Sequence, residues 1–311
     1  MIADKHLPVM PQQVITGLVW NPDGIYVDCT FGRGGHSQAI LNCLDANGKL
    51  LGLDKDIDAV NSQVAKMMLA DRRFYLEHVD YSTLESSVTQ RGWFGKISGV
   101  LMDLGVSSPQ LDDAGRGFSF LKDGPLDMRM DRTRGITAAD WIAQVSEQEL
   151  TDVLRRFGEE KFARRIASAI VVTRKTHSID STIQLADLIA QTVPFREKNK
   201  HPATRSFQAI RIYINRELEA LPATLMQALR VLEPGGRLAV IAFHSLEDRI
   251  VKRFMRDESR GGNFPPGLPV PDSAFSPRLN TIGKAIKPTA VEINDNPRAR
   301  SAVLRVAEKL S

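Results

Sequence analysis

The stretch YVDCTFGRGGHS, from Tyr26 to Ser37, reads as the end of a buried strand, a glycine-rich turn and the start of a helix. Asp28 closes the strand. Gly32, Gly34 and Gly35 let the backbone turn sharply and come close to a ligand where a Cβ would clash. Ser37 is placed to cap a helix over Gln38–Leu44, whose N-terminal amides carry partial positive charge. The segment that follows, KLLGLDKD (Lys49 to Asp56), is an apolar strand ending in Asp54. An acid about 20 residues after such a turn is the usual receiver for the ribose hydroxyls of a nucleotide cofactor.

Outward from this pair, strand and helix alternate. Strands are expected at Ile25–Asp28, Lys49–Asp54, Arg73–Val79, Ile97–Asp103 and Arg237–Phe243, with helices over Ile57–Leu69 and Glu217–Leu232. This order predicts an α/β fold with a mostly parallel, doubly wound sheet. Ser301–Lys309 reads as a last strand, with Ala290–Ile293 as its antiparallel hairpin partner. One interval is too long. Asp103 and Arg237 are 134 positions apart, whereas a strand–helix–strand crossover needs about 30 residues. The excess carries helical spacing at Thr137–Gln144, Ser146–Phe157, Glu160–Lys175 and Thr182–Val193. It is read as an inserted helical domain, residues 114–213, that holds substrate, with 1–113 and 214–311 forming the cofactor-binding domain. The insertion leaves the sheet at the strand ends where ligands bind in open α/β sheets. Gly261–Lys287, rich in Pro, Gly and Ser, reads as an irregular connection.

Composition narrows the function. Of 311 residues, 42% are hydrophobic and 25% charged, as in soluble globular proteins. No run approaches the ~20 apolar residues of a membrane helix, and the N-terminal MIADKHLPVMPQQV lacks a signal-peptide pattern. No membrane association is expected. Cys29 and Cys43 are the only cysteines. They form no CxxC, so no metal site is expected and a cytoplasmic location is. Charge is uneven. Residues 114–213 hold 17 Lys/Arg against 12 Asp/Glu, and residues 248–311 hold 12 against 7, while the remainder is net acidic. Two basic segments around an acidic core point to a polyanionic partner.

The cofactor class follows from the order of residues. A dinucleotide enzyme places GxGxxG directly after the first strand. Here Asp28 precedes the glycines and the loop begins a step later, which resembles the first motif of the S-adenosylmethionine (SAM) methyltransferases. SAM has no pyrophosphate, and an acid at the strand end suits its ammonium group. The fourth strand runs into DLGVSSPQLDDAGRGFSF, Asp103 to Phe120. Amino-group methyltransferases carry [Asn/Asp/Ser]-Pro-Pro-aromatic there. Ser108-Pro109-Gln110-Leu111 keeps Ser-Pro and departs at the next two positions. Phe118 and Phe120 could stack on a base or pack within the inserted domain. Methylation at carbon five of a pyrimidine requires a thiolate, and neither cysteine lies on this loop. An exocyclic nitrogen needs only an oriented lone pair, so positioning supplies most of the catalysis.

GGHS (Gly34–Ser37), DLGVSSPQLDDAGRGFSF, DGPLDMRMD (Asp123–Asp131), HPATRSFQAIRIYIN (His201–Asn215), FHSLEDRIVKRF (Phe243–Phe254) and NPRARSAVLRVAEK (Asn296–Lys309) occur in order along the chain. Together they resemble the bacterial 16S rRNA cytosine-N4 methyltransferases, the RsmH/MraW family. The resemblance implies a Rossmann-like class I fold and SAM as cofactor. It also implies methylation of N4 of a cytidine in the decoding (P-site) region of 16S rRNA, on the assembled small subunit. By motif match it places SAM contacts at Gly34, Gly35, His36, Asp54, Tyr81, Asp103 and Gln110, and catalytic roles at Asp103, Ser108 and Pro109. Arg164, Arg165, Arg205 and Arg211 are candidates for phosphate contact, because the guanidinium fork suits phosphate, or else for pairing with Glu159, Glu160 or Glu217 inside the fold. His244, at the end of the fifth strand, is a candidate base contact. The oligomeric state stays open, a homodimer included.

Overall fold

The computed structural model describes residues 8–194, 201–261 and 275–311. The connection expected at 261–287 therefore lies partly outside the described residues. The chain forms two compact units, residues 1–105 with 218–311, and residues 106–217.

The first unit is a seven-stranded sheet. Its strands are β1 (Ile25–Asp28), β2 (Lys49–Asp54), β3 (Phe74–His78), β4 (Ile97–Asp103), β5 (Leu232–Ala242), β6 (Leu279–Thr281) and β7 (Val303–Lys309), in the order β3-β2-β1-β4-β5-β7-β6. Strands one to five pair in parallel. β7 runs antiparallel between β5 and β6. Alternate side chains feed two cores, as the pleat requires. Tyr26, Leu50, Leu101 and Ile241 meet α1 (Pro11–Leu18), α2 (Gly35–Leu41) and α4 (Gln63–Met68) on one face. Val27, Leu51, Leu53, Val100, Met102 and Val240 meet α5 (Leu84–Gln90), α12 (Glu217–Val231) and α13 (Ser245–Arg260) on the other. The doubly wound class I architecture is thus the observed one. Its strand order reverses direction between β1 and β4, so the cleft for ligand opens at the ends of those two strands.

Three local readings are corrected. The helix after the glycine turn starts at Gly35, and its cap is Gly34, in the left-handed region at φ 74°. Ser37 lies inside the helix and donates its hydroxyl to Asp28 Oδ2 at 2.7 Å. The single helix expected over Ile57–Leu69 is two, α3 (Ile57–Val60) and α4, because Ser62 caps a fresh start by accepting from the Ala65 amide. Ala290–Ile293 is not a strand. Thr289 accepts from the Glu292 amide and starts α14 (Ala290–Asp295), while β6 supplies the partner of β7.

The second unit is helical: α6 (Ser108–Asp112), α7 (Ala138–Gln144), α8 (Glu147–Gly158), α9 (Ala163–Thr173), α10 (Thr182–Thr192) and α11 (Thr204–Asn215). Thr137 with Asp140 and Ser181 with Gln184 form capping boxes that start α7 and α10. Leu150, Leu154, Ile166, Ile170, Leu185, Phe207 and Ile210 are its buried centre. A Cβ on Gly158 would come within 2.7 Å of the Arg205 carbonyl oxygen, so glycine there sets the close approach of α8 and α11. Asn215 ties the DGPLDMRMD segment to α11. Its Oδ1 accepts from the Met130 amide and its Nδ2 donates to the Met128 carbonyl, both at 2.7 Å. Asn215→Ala strands both backbone groups and should destabilise this unit by about 1–3 kcal/mol in thermal or denaturant unfolding.

Candidate active site

The polar ends of β1 and β4 are tied together through one buried carboxylate. Asp28 is wholly buried. Its Oδ1 accepts from the Thr30 amide at 3.1 Å and the Thr30 hydroxyl at 3.3 Å, and its Oδ2 accepts from Ser37. Thr30 Oγ1 in turn accepts from the Asp103 amide at 2.7 Å. The chain Asp103–Thr30–Asp28–Ser37 therefore locks the end of β4, the glycine loop and the first turn of α2 together. Burial raises the Asp28 pKa above the usual carboxylate value, and Ser37, the charge of His36 and the Thr30 amide hold part of that shift back.

His36 and Asp103 face each other across this lock, Nε2 to Oδ2 at 3.5 Å. His36 Nε2 and Asp103 Oδ1 are both buried, and neither has a well-aligned hydrogen-bond partner. At that distance the attraction is mainly electrostatic. Burial alone would lower the His36 pKa, but Asp103 first and Asp28 second reverse the effect and raise it. The pair thus sets an imidazole nitrogen beside a carboxylate, a donor and an acceptor of the kinds that the zwitterionic end of an amino acid can meet.

Asp54 ends β2. Its Oδ2 accepts from the Gly32 amide at 2.6 Å and its Oδ1 from the Asp56 amide at 2.8 Å, which fixes the carboxylate plane and leaves lone pairs for hydroxyl donors. Burial pushes its pKa up to about 6, against the two amides that favour the charged form. Past β3, Asp80 caps a short turn that carries Tyr81. Lys55 lies 3.4 Å from Asp80 and 5.7 Å over the Tyr81 ring, so the ring's position is set by an ion pair. Thr30, Lys55 and Asp80 join the site only through the fold. A polar residue two places after a strand-end acid was the available signal for Thr30.

The glycines serve the protein itself. A Cβ on Gly34 would lie 2.9 Å from Met68 Sδ and 3.0 Å from the Phe31 ring, and one on Gly35 would lie 3.1 Å from Pro8. Both positions are closed by packing, whatever ligand approaches the loop.

Ser108, Pro109 and Gln110 belong to α6 of the second unit. Gln110 is buried, and its Oε1 accepts from the Ser107 amide at 2.9 Å in a capping box. The S-x-x-Q pattern that starts this helix is readable in Ser107–Gln110. Phe118 is buried beneath the Arg116 guanidinium, and Phe120 packs on His201 and Phe207 at 4.6 and 4.8 Å. His244 caps α13. Its Nδ1 accepts from the Glu247 amide, and its Nε2 sits 3.1 Å from Glu247 Oε1.

The four arginines separate. Arg164 and Arg165 are exposed on α9, and Arg205 is half-buried on α11. Arg211 is nearly buried and forms a two-pronged pair with Glu217, Nε to Oε1 at 2.9 Å and Nη2 to Oε2 at 3.0 Å. Its fork is occupied within the fold, which removes it from the phosphate-contacting set.

Sheet order, glycine turn and the acid at the end of β2 define the class as a Rossmann-like α/β transferase for a nucleoside-bearing donor. A family model described as the MraW methylase family matches residues 3–310. Two relatives bear the name ribosomal RNA small subunit methyltransferase H. The one from Pseudoalteromonas atlantica is 53% identical, and the one from Alteromonas mediterranea 54%, each over 98% of this chain and 98% of its own. Among solved structures, a putative rRNA-methylase from Clostridium thermocellum aligns over 97% of this chain and 93% of its own, at 11% identity and a TM-score of 0.43. The chain belongs to the MraW methylase family and is a SAM-dependent methyltransferase. The residues present fit that donor: Asp54 for ribose hydroxyls, and His36 with Asp103 for the amino-acid end.

Two outcomes follow from this geometry. Asp54→Ala should weaken SAM binding at pH 8 by about 1.5–3 kcal/mol, the range for a hydrogen bond to a charged group. Below pH about 6 the parent carboxylate is itself protonated, so the penalty of the substitution should shrink at pH 5. Calorimetry showing the same penalty at both pH values would remove the ionised carboxylate from the contact. Arg211→Ala and Glu217→Ala should each cost about 1.5–3 kcal/mol of stability, because each removes a two-pronged hydrogen-bonded contact between charged groups. The double variant should cost less than the sum, as read from denaturant unfolding.

Proposed function

We propose that the protein transfers a methyl group from SAM to the exocyclic N4 amine of a cytidine in the decoding (P-site) region of 16S rRNA, acting on the assembled small subunit. It works in the cytoplasm, where that substrate is made. The names of its close relatives support small-subunit rRNA as substrate. The observation that carries the choice of nitrogen is the state of the cysteines. Cys29 is buried, and its thiol pKa is pushed well above the usual value, by burial first and then by Asp28 and Asp80. Cys43 is exposed in the turn just past α2, at the end away from the glycine loop. Neither offers a thiolate for attack on a pyrimidine ring.

An amine needs no covalent help. When bound, SAM supplies an electrophilic methyl on a sulfonium. The target amine would need only an oriented lone pair in line with that methyl, and the proton it loses would pass to water. Asp54 holds the ribose, and Tyr81, steadied by Lys55 and Asp80, lies along the adenine. His36 and Asp103 orient the amino-acid end. Gly34 and Gly35 shape the turn that leads into His36. Ser108, Pro109 and Gln110 form a helix start whose capping box holds the Ser-Pro pair in a fixed conformation, suited to presenting oxygens to the target amine. His244 stays in the proposal as a base-side contact anchored by Glu247.

The inserted unit is proposed to hold the rRNA. It carries an open cleft of about 910 Å³ whose lining includes Lys161, Arg164, Arg165, Ser168 and Gln191. Three cations against one acid in that lining, Glu147, favour a phosphate backbone. Arg205 extends the basic character onto α11.

Mass mapping of 16S rRNA from cells lacking this protein should show one cytidine in the decoding region lighter by one methyl group. The purified protein with SAM should restore it on small subunits and not on protein-free 16S rRNA. A missing methyl at ring carbon five, or an unchanged map, would overturn the reading. Replacing Lys161, Arg164 and Arg165 by Gln should weaken subunit binding and leave SAM affinity and the melting temperature unchanged.

A further inference from the structure

Helix α13 carries charge in an arrangement that its folding does not require. Its sequence, SLEDRIVKRFMRDESR, holds Arg249, Lys252, Arg253, Arg256 and Arg260, and all five are exposed. At about 100° per residue these positions fall within an arc of roughly 100°. They form one stripe rising about 16 Å along the helix, at 1.5 Å per residue. The opposite face is apolar and turned inward: Val251 and Met255 are in the core, and Ile250 and Phe254 pack against it.

The acids of the helix are turned elsewhere. Glu247 is buried in the cap with His244. Asp248 takes a two-pronged contact from Arg305, at 2.7 and 3.1 Å. Glu258 is paired with Arg278. Asp257 lies beside the stripe, on Arg256 at 2.7 Å. The helix therefore places like charges at i, i+3 and i, i+4 down one exposed face. Such pairs destabilise a helix by a few tenths of a kcal/mol each. Arg256 and Arg260 in the last turns complement the helix dipole, but Lys252 and Arg253 in the middle gain nothing from it.

We infer that the exposed face of α13 is a second phosphate-binding surface, on the cofactor-binding unit itself, for the sugar-phosphate backbone of the RNA substrate. The helix starts at the C-terminal end of β5, on the sheet edge that holds the donor, so its first turns are the nearest to the chemistry. An RNA strand lying along it places successive phosphates about 6 Å apart, and the 16 Å stripe meets three of them. A lipid surface is the poorer occupant, because the apolar residues that would insert are already in the core. This inference rests on the proposal that the substrate is rRNA.

The test is a charge variant, Lys252→Gln with Arg253→Gln and Arg260→Gln, titrated against small ribosomal subunits at several salt concentrations. Each lost phosphate contact should flatten the slope of log affinity against log salt by about 0.7–0.9, so the triple variant should lose about 2–3 units. Its melting temperature and SAM affinity should equal the parent's. The charge-keeping variant, Lys252→Arg with Arg253→Lys and Arg260→Lys, should keep the parent slope. An unchanged slope in the Gln variant overturns the α13 surface and leaves the rRNA reading intact. A parent protein that binds subunits without salt dependence overturns both. A photo-crosslinker carried on Arg253→Cys in a Cys43→Ser background should label RNA, and labelling of a ribosomal protein in its place would show an acidic polypeptide as the partner and overturn the assignment.

Discussion

One buried carboxylate organises the ligand edge of this protein. Asp28 has no solvent to stabilise its charge, so its oxygens must be met by donors from the chain. Thr30 and Ser37 meet them, and both lie on the segment that must turn from β1 into α2. Thr30 is used twice, because its hydroxyl also receives the Asp103 amide. The demand for hydrogen bonds at a single site thereby fixes the glycine loop, the first turn of α2 and the end of β4 in one frame. His36 and Asp103 stand on that frame with their outer atoms unsatisfied. The cost of keeping them so is recovered only when a polar ligand arrives, which is a common property of sites built to bind.

The same logic separates structure from function among residues of one type. Arg211 and Arg164 are both arginines on amphipathic helices of the inserted unit. Arg211 points to Glu217 just beyond its own helix and is nearly buried there, whereas Arg164 sits at the mouth of a cleft. Nothing in the local pattern of either helix distinguishes them, because the partner of Arg211 lies past a left-handed turn at Arg216. Asn215 behaves likewise. The motif that contains it looks functional in sequence, yet its amide holds a backbone segment some 85 residues upstream.

The parallel sheet was legible because its strands carry short apolar runs, three of which (β1, β2 and β4) end in acids. Asp54, His36 and Asp103 were legible for the same reason, since they stand at strand and helix ends. The local errors share a cause. Ser37 was read as a cap, but the hydroxyl answered the stronger demand of a buried carboxylate. The Ile57–Leu69 helix was read through its apolar spacing, and Ser62 overrode it. Ala290–Ile293 has strand-like composition, yet Thr289 and Glu292 make a helix start that a closer reading of T-x-x-E would have favoured. Capping chemistry was the signal most often passed over, at Ser107, Thr289 and His244 alike.

The account depends most on where the donor lies. A crystal structure of the protein with S-adenosylhomocysteine would test it directly. The ribose hydroxyls should lie about 3 Å from the Asp54 carboxylate, and the amino-acid end should lie within hydrogen-bonding distance of His36 Nε2 and Asp103 Oδ1. A ligand whose ribose is turned away from Asp54, with His36 and Asp103 still unsatisfied, would contradict it.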